Sequence, residues 1–274
     1  MKLGLGSYIF RYAVGTNTFQ PEKPMDAVKL VEKAADMGAE LVQFADNLPL
    51  DNYDEASLKK VTEVAEQRGI TLEAGTAGAT EARLLRHLKI AKILGAKLVR
   101  IAPHAPDVQP SWDEMLHVIQ QVLPQYKEAN ITIGIENHFM MKSEDLVALV
   151  QSIDDSLVGI CVDTGNSIAQ EEWPYQTVQM LAPYAVSLHL KDYKLDMHPD
   201  GIGVNVRGTA LGDGRQDIQN TLNTIQKAAG DVNIVLEQWM PTAKTPLETL
   251  QQEEEWIKKG IKHIRSLVRN QVGS

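Results

Sequence analysis

The chain of 274 residues is 43% hydrophobic, which is enough to bury a large core, and its net charge is −9. This acidic balance disfavours a nucleic-acid partner, because neutralising phosphates needs clustered Lys and Arg. The single cysteine, Cys161, excludes an intramolecular disulfide framework. The sequence shows no convincing signal peptide and no apolar run of about 18 residues. We therefore expect a cytoplasmic protein with no membrane partner.

Strand-like hydrophobic runs alternate with helix-like segments along the whole chain. Most runs are continuous, which is typical of parallel strands that are covered on both faces. We predict eight strands, at residues 2–8, 40–45, 70–75, 97–103, 131–136, 157–163, 185–190 and 232–237. Their starts recur about every 33 residues, the length of one strand and helix unit.

The segments between the strands carry helix start and stop signals. Pro24 is predicted to open a helix with an apolar periodic run that Gly38 closes, and Ser111 and Thr245 each begin a capping-box pattern. No G-x-G-x-x-G fingerprint of a doubly wound sheet follows a strand. The sequence therefore predicts an α/β fold, a (β/α)8 TIM barrel that forms a single domain over residues 1–274.

Four of the predicted strands end in, or close to, a residue that can bind a metal: Glu136, Asp163, His189 and Glu237. Each alone is more often a helix cap, an ion-pair partner or a satisfied core histidine. Because the carboxyl ends of barrel strands build the active site, the four together predict a metal centre. Three carboxylates and one imidazole suit Mn²⁺, Mg²⁺ or Co²⁺ better than a thiolate zinc site, and we interpret Cys161 as a buried free thiol.

In this order, the segments IENH, VDTGN, HLKD and LEQW resemble the xylose isomerase-like (AP endonuclease 2-like) TIM-barrel superfamily of sugar and sugar-phosphate isomerases, epimerases and related lyases. The resemblance spans the chain and implies a divalent-metal-dependent isomerase or epimerase of a keto-sugar or sugar derivative, with Mn²⁺ preferred. It implies that Glu136 and Glu237 are both ligands and the pair that moves the proton, with Asp163 and His189 as ligands. The intermediate would be a metal-stabilised enediolate.

Departures from the epimerase branch keep a second enzyme class open. Asn166 and Leu195 stand where that branch commonly has a substrate-binding His and Arg, and Gln43 replaces a common Glu. The segments GSYIFRYAVG and FADNLPL resemble the 3-oxo-isoapionate decarboxylase-type branch instead. The alternative function is therefore a metal-dependent decarboxylase, a carbon–carbon lyase of a 3-oxo sugar acid. The same enediolate serves both reactions, so the ligands alone do not distinguish them.

Several further residues are expected near the barrel mouth. The candidates for substrate contact are His138, Lys191, Arg207, His104 and Trp239, and Tyr8, Phe10 and Arg11 are expected to rim the pocket. Arg207 lies in a long segment, 192–214, that we interpret as a functional loop. An ion pair with Asp192 is an equal alternative for Lys191. The expected partner is a small sugar or sugar acid, with a homo-oligomer left open.

Two other classes fit less well. An abasic-site endonuclease on this barrel needs more His and Asp ligands, and Asn166 stands where one further His would be required. A sugar-binding barrel without catalysis would leave the ordered ligand set without a role.

Overall fold

The computed structural model describes residues 1–271, of which 269–271 are described by their backbone alone. The described residues form ten strands: β1 Leu3–Gly6, β2 Leu41–Gln43, β3 Thr71–Ala77, β4 Leu98–Ala102, β5 Thr132–Glu136, β6 Val158–Asp163, β7 Ala185–Leu190, β8 Asp192–Met197, β9 Val204–Thr209 and β10 Asn233–Leu236. Eight of them are parallel and pair around a closed ring, in the order β1, β10, β7, β6, β5, β4, β3, β2, and β8 and β9 lie outside it. The predicted (β/α)8 barrel is confirmed.

Helices follow the barrel strands and cover the outside of the barrel. They are α1 Arg11–Val14, α2 Ala27–Asp36, α3 Glu55–Arg68, α4 Glu81–Leu94, α5 Trp112–Ala129, α6 Ser143–Ile153, α7 Pro174–Leu181, α8 Ile218–Ala229 and α9 Pro246–Gln271. Their inward faces and the barrel strands form a large hydrophobic core, and Tyr12, Phe19 and Met240 form a second, smaller cluster. None of the helices in residues 1–271 has the length and hydropathy that crossing a membrane requires.

Capping residues set the helix boundaries. The predicted capping box at Ser111 is present, with Glu114 reaching back to the Ser111 main chain. Pro24, in contrast, lies before α2 rather than within it. Asp26 caps this helix instead, because its side chain accepts a hydrogen bond from the Lys29 N–H at 2.9 Å.

The segment that we expected to be a loop, 192–214, contains an antiparallel ribbon of β8 and β9 outside the barrel. Asp192 anchors its base, since its carboxylate accepts main-chain N–H bonds from Gly212, Gly214 and Gln216. The alternative of an ion pair between Asp192 and Lys191 is wrong, because both groups have other partners.

Candidate metal centre and active site

The four predicted ligand residues meet at the carboxyl end of the barrel. Glu136 and Asp163 are the last residues of β5 and β6, His189 is the penultimate residue of β7, and Glu237 directly follows β10. All four are buried. The Nδ1 atom of His189 lies 3.3 Å from Glu237 Oε1, 3.7 Å from Glu136 Oε2 and 3.9 Å from Asp163 Oδ2. One imidazole nitrogen therefore faces three carboxylates.

The other ring nitrogen of His189 shows which atom carries the proton. Nε2 lies 2.7 Å from the side-chain oxygen of Gln43, which can only accept a hydrogen bond, so Nε2 carries the hydrogen. In the neutral ring Nδ1 then presents a lone pair, and this buried atom has no hydrogen-bond partner among the described residues. A lone pair that faces three carboxylates is repelled unless a cation lies between them. The donor set therefore fits a divalent metal ion, to be held by His189, Glu136, Asp163 and Glu237.

Lys191 places an ammonium group beside two of these carboxylates. Its Nζ donates to Asp163 Oδ2 at 2.5 Å and to Asn166 Oδ1 at 3.1 Å, and it lies 2.9 Å from Glu237 Oε2. The Asp163 Oδ1 atom accepts the main-chain N–H groups of Gly165 and Asn166, both at 2.8 Å. Asp163 is thus fixed from both sides.

Arg100, in the interior of β4, is a site residue that the sequence reasoning missed. Its Nε donates to Glu136 Oε2, and its Nη1 donates to Asp46 Oδ1 at 3.3 Å and to the Thr76 carbonyl at 3.2 Å. The available signal was a charged residue inside the hydrophobic run at 97–103, since a buried charge requires a partner. Together with Lys191, Arg100 balances two of the three ligand carboxylates.

Burial and these neighbouring charges act in opposite directions on the carboxyl pKa values. Burial opposes ionisation of Glu136, but the Arg100 guanidinium outweighs it and lowers the pKa to about 2. The pKa of Glu237 is also lowered, with Lys191 overcoming burial. For Asp163 burial prevails over the attraction of Lys191, and its pKa is raised.

A cavity of about 630 Å³ opens at the site, and two of the four predicted ligand residues, Glu136 and Glu237, line it. The predicted contact residues that line it are His104, His138, Lys191 and Trp239, together with the rim residues Tyr8 and Arg11. Arg207 is not brought to the cavity, because it lies on the exposed ribbon and pairs with Asp196 at 2.6 Å. Phe10 is buried in the core rather than at the rim.

The cavity wall that follows β5 and β10 is aromatic. The His138 ring contacts Phe139 edge to face with centroids 4.8 Å apart, Phe139 lies 6.1 Å from Trp239, and Lys191 Nζ is 5.5 Å from the Trp239 ring centroid. The Nδ1 atoms of His104 and His138 are buried without a hydrogen-bond partner in the described part of the chain. Burial lowers the pKa of both rings, so each presents a neutral imidazole to a bound molecule.

This fold and site define a class, a TIM barrel with three buried carboxylates and a histidine clustered at its carboxyl end. The family described as xylose isomerase-like TIM barrel matches residues 31–267, and the chain belongs to this family.

One curated relative, 3-oxo-isoapionate decarboxylase of Pectobacterium atrosepticum, is 29% identical over 264 residues, which cover 96% of this chain and 95% of the relative. D-psicose 3-epimerase, solved in the presence of D-fructose, has a TM-score of 0.74 at 16% identity and covers 97% of this chain and 99% of its own. A xylose isomerase-like TIM barrel protein of Mycobacterium smegmatis in complex with magnesium has a TM-score of 0.70 at 15% identity, covering 94% of this chain and 95% of its own. At these identities, the two solved structures show the fold alone.

Proposed function

We propose that the protein is a divalent-metal-dependent carbon–carbon lyase, which decarboxylates a 3-oxo sugar acid such as 3-oxo-isoapionate. The observation that carries this proposal is the engagement of both glutamates that an epimerase would use as bases. Glu136 accepts from Asn166 Nδ2 at 2.7 Å and from Arg100, and Glu237 lies beside Lys191. Decarboxylation needs no base to remove a proton from carbon, so it suits carboxylates that are held by cations.

The reaction breaks the bond between the carboxylate carbon and C2 of the sugar acid. The electron pair moves onto the C3 carbonyl oxygen, CO₂ leaves, and the resulting enediolate takes up a proton at C2. A bound divalent cation, for which we propose Mn²⁺, would supply positive charge that stabilises the enediolate. Lys191 holds a proton at Nζ in the cavity wall and is our proposed donor to carbon. The neutral imidazoles of His104 and His138 would orient the sugar hydroxyl groups.

Similarity to the relatives supports this choice of reaction. The decarboxylase matches nearly the whole chain at 29% identity, whereas the epimerase structure matches at 16%. Asn166, which replaces the histidine of the epimerase branch, donates to Glu136 instead of leaving that carboxylate open.

The second candidate remains a sugar isomerase or epimerase. The favouring observation is that Glu136 and Glu237, the predicted proton-moving pair, approach the same His189 nitrogen and both line the cavity. For this reaction one glutamate must exchange its cation partner for a proton from the substrate.

One experiment separates the two reactions. Enzyme loaded with Mn²⁺ is incubated in D₂O with 3-oxo sugar acids and, separately, with ketoses, while CO₂ release and deuterium incorporation are followed. We expect one CO₂ and one deuterium per sugar acid, and no exchange into ketoses. Deuterium exchange into a ketose without CO₂ release from any sugar acid would favour the epimerase. The Glu237→Gln variant serves as the inactive control.

A cytoplasmic location and assembly into a homo-oligomer remain predictions, to be measured by fractionation and by light scattering.

A further inference from the structure

A chain of hydrogen bonds links His189 through Gln43 and Glu73 to Asn233, and these last three residues do not line the cavity. Gln43 on β2, whose oxygen faces His189, donates through Nε2 to Glu73 Oε2 at 2.9 Å. Glu73 on β3 accepts at its other oxygen from Asn233 Nδ2, also at 2.9 Å. Glu73 and Gln43 are both buried.

The donor and the acceptor of each hydrogen bond in this chain follow from Asn233, the side chain farthest from His189. The Asn233 side-chain oxygen accepts the main-chain N–H of Lys2 at 3.1 Å, so its amide nitrogen must face Glu73. Burial raises the pKa of Glu73. In its ionised form Glu73 only accepts, and Gln43 must then also present its nitrogen to Glu73. The oxygen of Gln43 is then the atom that meets His189, and it requires a hydrogen on Nε2.

We propose that Glu73 and Gln43 are positioning residues that fix the tautomer of His189, keeping Nδ1 free of a proton and open to a cation. The inference depends on the proposed function in one respect, namely that His189 is a metal ligand. The tautomer itself is a property of the metal-free protein. Metal-binding histidines commonly depend on such a partner at the second ring nitrogen, whose loss lowers metal affinity about 10–100-fold.

The variant Glu73→Gln tests this direction without changing the size of the side chain. Its amide oxygen would face Asn233, which leaves its nitrogen facing Gln43. Gln43 would then turn its own oxygen toward residue 73 and its nitrogen toward His189, so Nε2 becomes an acceptor and the hydrogen moves to Nδ1. A protonated Nδ1 cannot ligate a metal.

The exchange of the two groups, Gln43→Glu with Glu73→Gln, restores the direction. The amide at 73 would donate to the carboxylate at 43, which accepts the Nε2 hydrogen of His189. The double variant has the same composition and side-chain volume as the native pair. If Glu73 and Gln43 had only a structural role, we would not expect this exchange to restore the His189 tautomer that Glu73→Gln had changed.

The readout is the ¹⁵N spectrum of labelled histidine in metal-free protein at a pH where the rings are neutral, with His189 identified by its loss in His189→Asn. We expect hydrogen on Nε2 in the native protein and the double variant, and on Nδ1 in Glu73→Gln. Zn²⁺ affinity by titration calorimetry should fall about 10–100-fold in Glu73→Gln and recover in the double variant. Glu253→Gln, which removes another buried carboxylate, is the matched control and should leave the tautomer unchanged.

A Glu73→Gln protein that keeps hydrogen on Nε2 overturns the inference, as does a double variant that does not restore it. If Glu73→Gln does not fold, Gln43→Met provides the test. This variant removes the Gln43 oxygen that accepts from His189, so the preference for hydrogen on Nε2 should be lost. An unchanged tautomer in Gln43→Met contradicts the inference. A tautomer that responds as expected in a protein that binds no metal supports the positioning role and defeats the proposed metal function.

Discussion

The two sides of the barrel are built differently. On one, which we call the ligand side, β5, β6, β7 and β10 each place a group at, or one residue from, the last residue of the strand, and these groups are aimed at a shared point. On the other, the support side, β2, β3 and β4 carry the buried polar groups Gln43, Glu73 and Arg100. The ligand side supplies the atoms that would hold a cation, and the support side fixes their direction and balances their charge.

Removing a group from the ligand side should have the largest effect. Glu237→Gln keeps the volume but loses the charge that faces His189 Nδ1 at 3.3 Å. We expect Mn²⁺ affinity to fall at least about 100-fold, since even partners behind a ligand contribute 10–100-fold. Titration calorimetry measures the Mn²⁺ affinity of the variant. An affinity equal to that of the native protein would show that Glu237 is not a metal ligand.

Removing Arg100 from the support side should mainly lower stability. Arg100→Met leaves Glu136 buried without its cation, and breaking such a pair destabilises by roughly 3–5 kcal/mol. Urea unfolding measures the change. The matched control is Arg68→Met, which removes an exposed guanidinium paired with Asp36 and should cost about 1 kcal/mol or less. Equal losses in the two variants would contradict the supporting role of Arg100.

The rim of the cavity near α1 should respond to pH through Glu253. This α9 carboxylate accepts the main-chain N–H groups of Tyr12 at 2.7 Å and Ala13 at 3.0 Å. Burial outweighs these bonds and raises the pKa of Glu253 from 4.5 to about 7. Since the folded pKa is raised, the stabilisation is fully present below about pH 4.5 and is lost as pH rises through about 7.

The shift corresponds to roughly 3 kcal/mol. Glu253→Gln does not ionise, so its free energy of unfolding relative to the native protein should rise between pH 5 and pH 8. Urea titrations at the two pH values measure the difference. A constant difference would show that Glu253 has an ordinary pKa.

The smallest effect is expected at Arg207, which lies on neither side. Its side chain is 56% exposed and pairs with Asp196 on the ribbon. Arg207→Ala should change stability by about 1 kcal/mol or less and leave KM unchanged. A large increase in KM would restore the sequence-based expectation that Arg207 contacts the substrate.

The contrast between the sides also explains what the sequence could predict. The ligand side was predictable because each of its residues lies at, or one residue from, the end of a hydrophobic run, and the barrel brings such ends together. The support side depends on partners far apart in sequence, such as Gln43 and His189, separated by 146 residues, or Arg100 and Asp46, separated by 54. No local pattern records those pairs.

The ribbon was missed for a different reason. Tyr193, Leu195 and Met197 alternate with polar residues, which is a strand pattern of period two, and Gly201 and Gly203 adopt positive φ in the turn. The length of the segment and its place before the next helix favour a functional loop, whereas this alternation indicates the strand.

The most direct test of the metal centre is anomalous diffraction from crystals of the protein soaked in Mn²⁺. We predict one strong peak on the ligand side, in contact with Glu136, Asp163, Glu237 and the Nδ1 atom of His189, with Gln43 still bonded to Nε2. A cavity that shows no manganese peak, while Lys191 and Arg100 retain their carboxylate partners, would contradict the account.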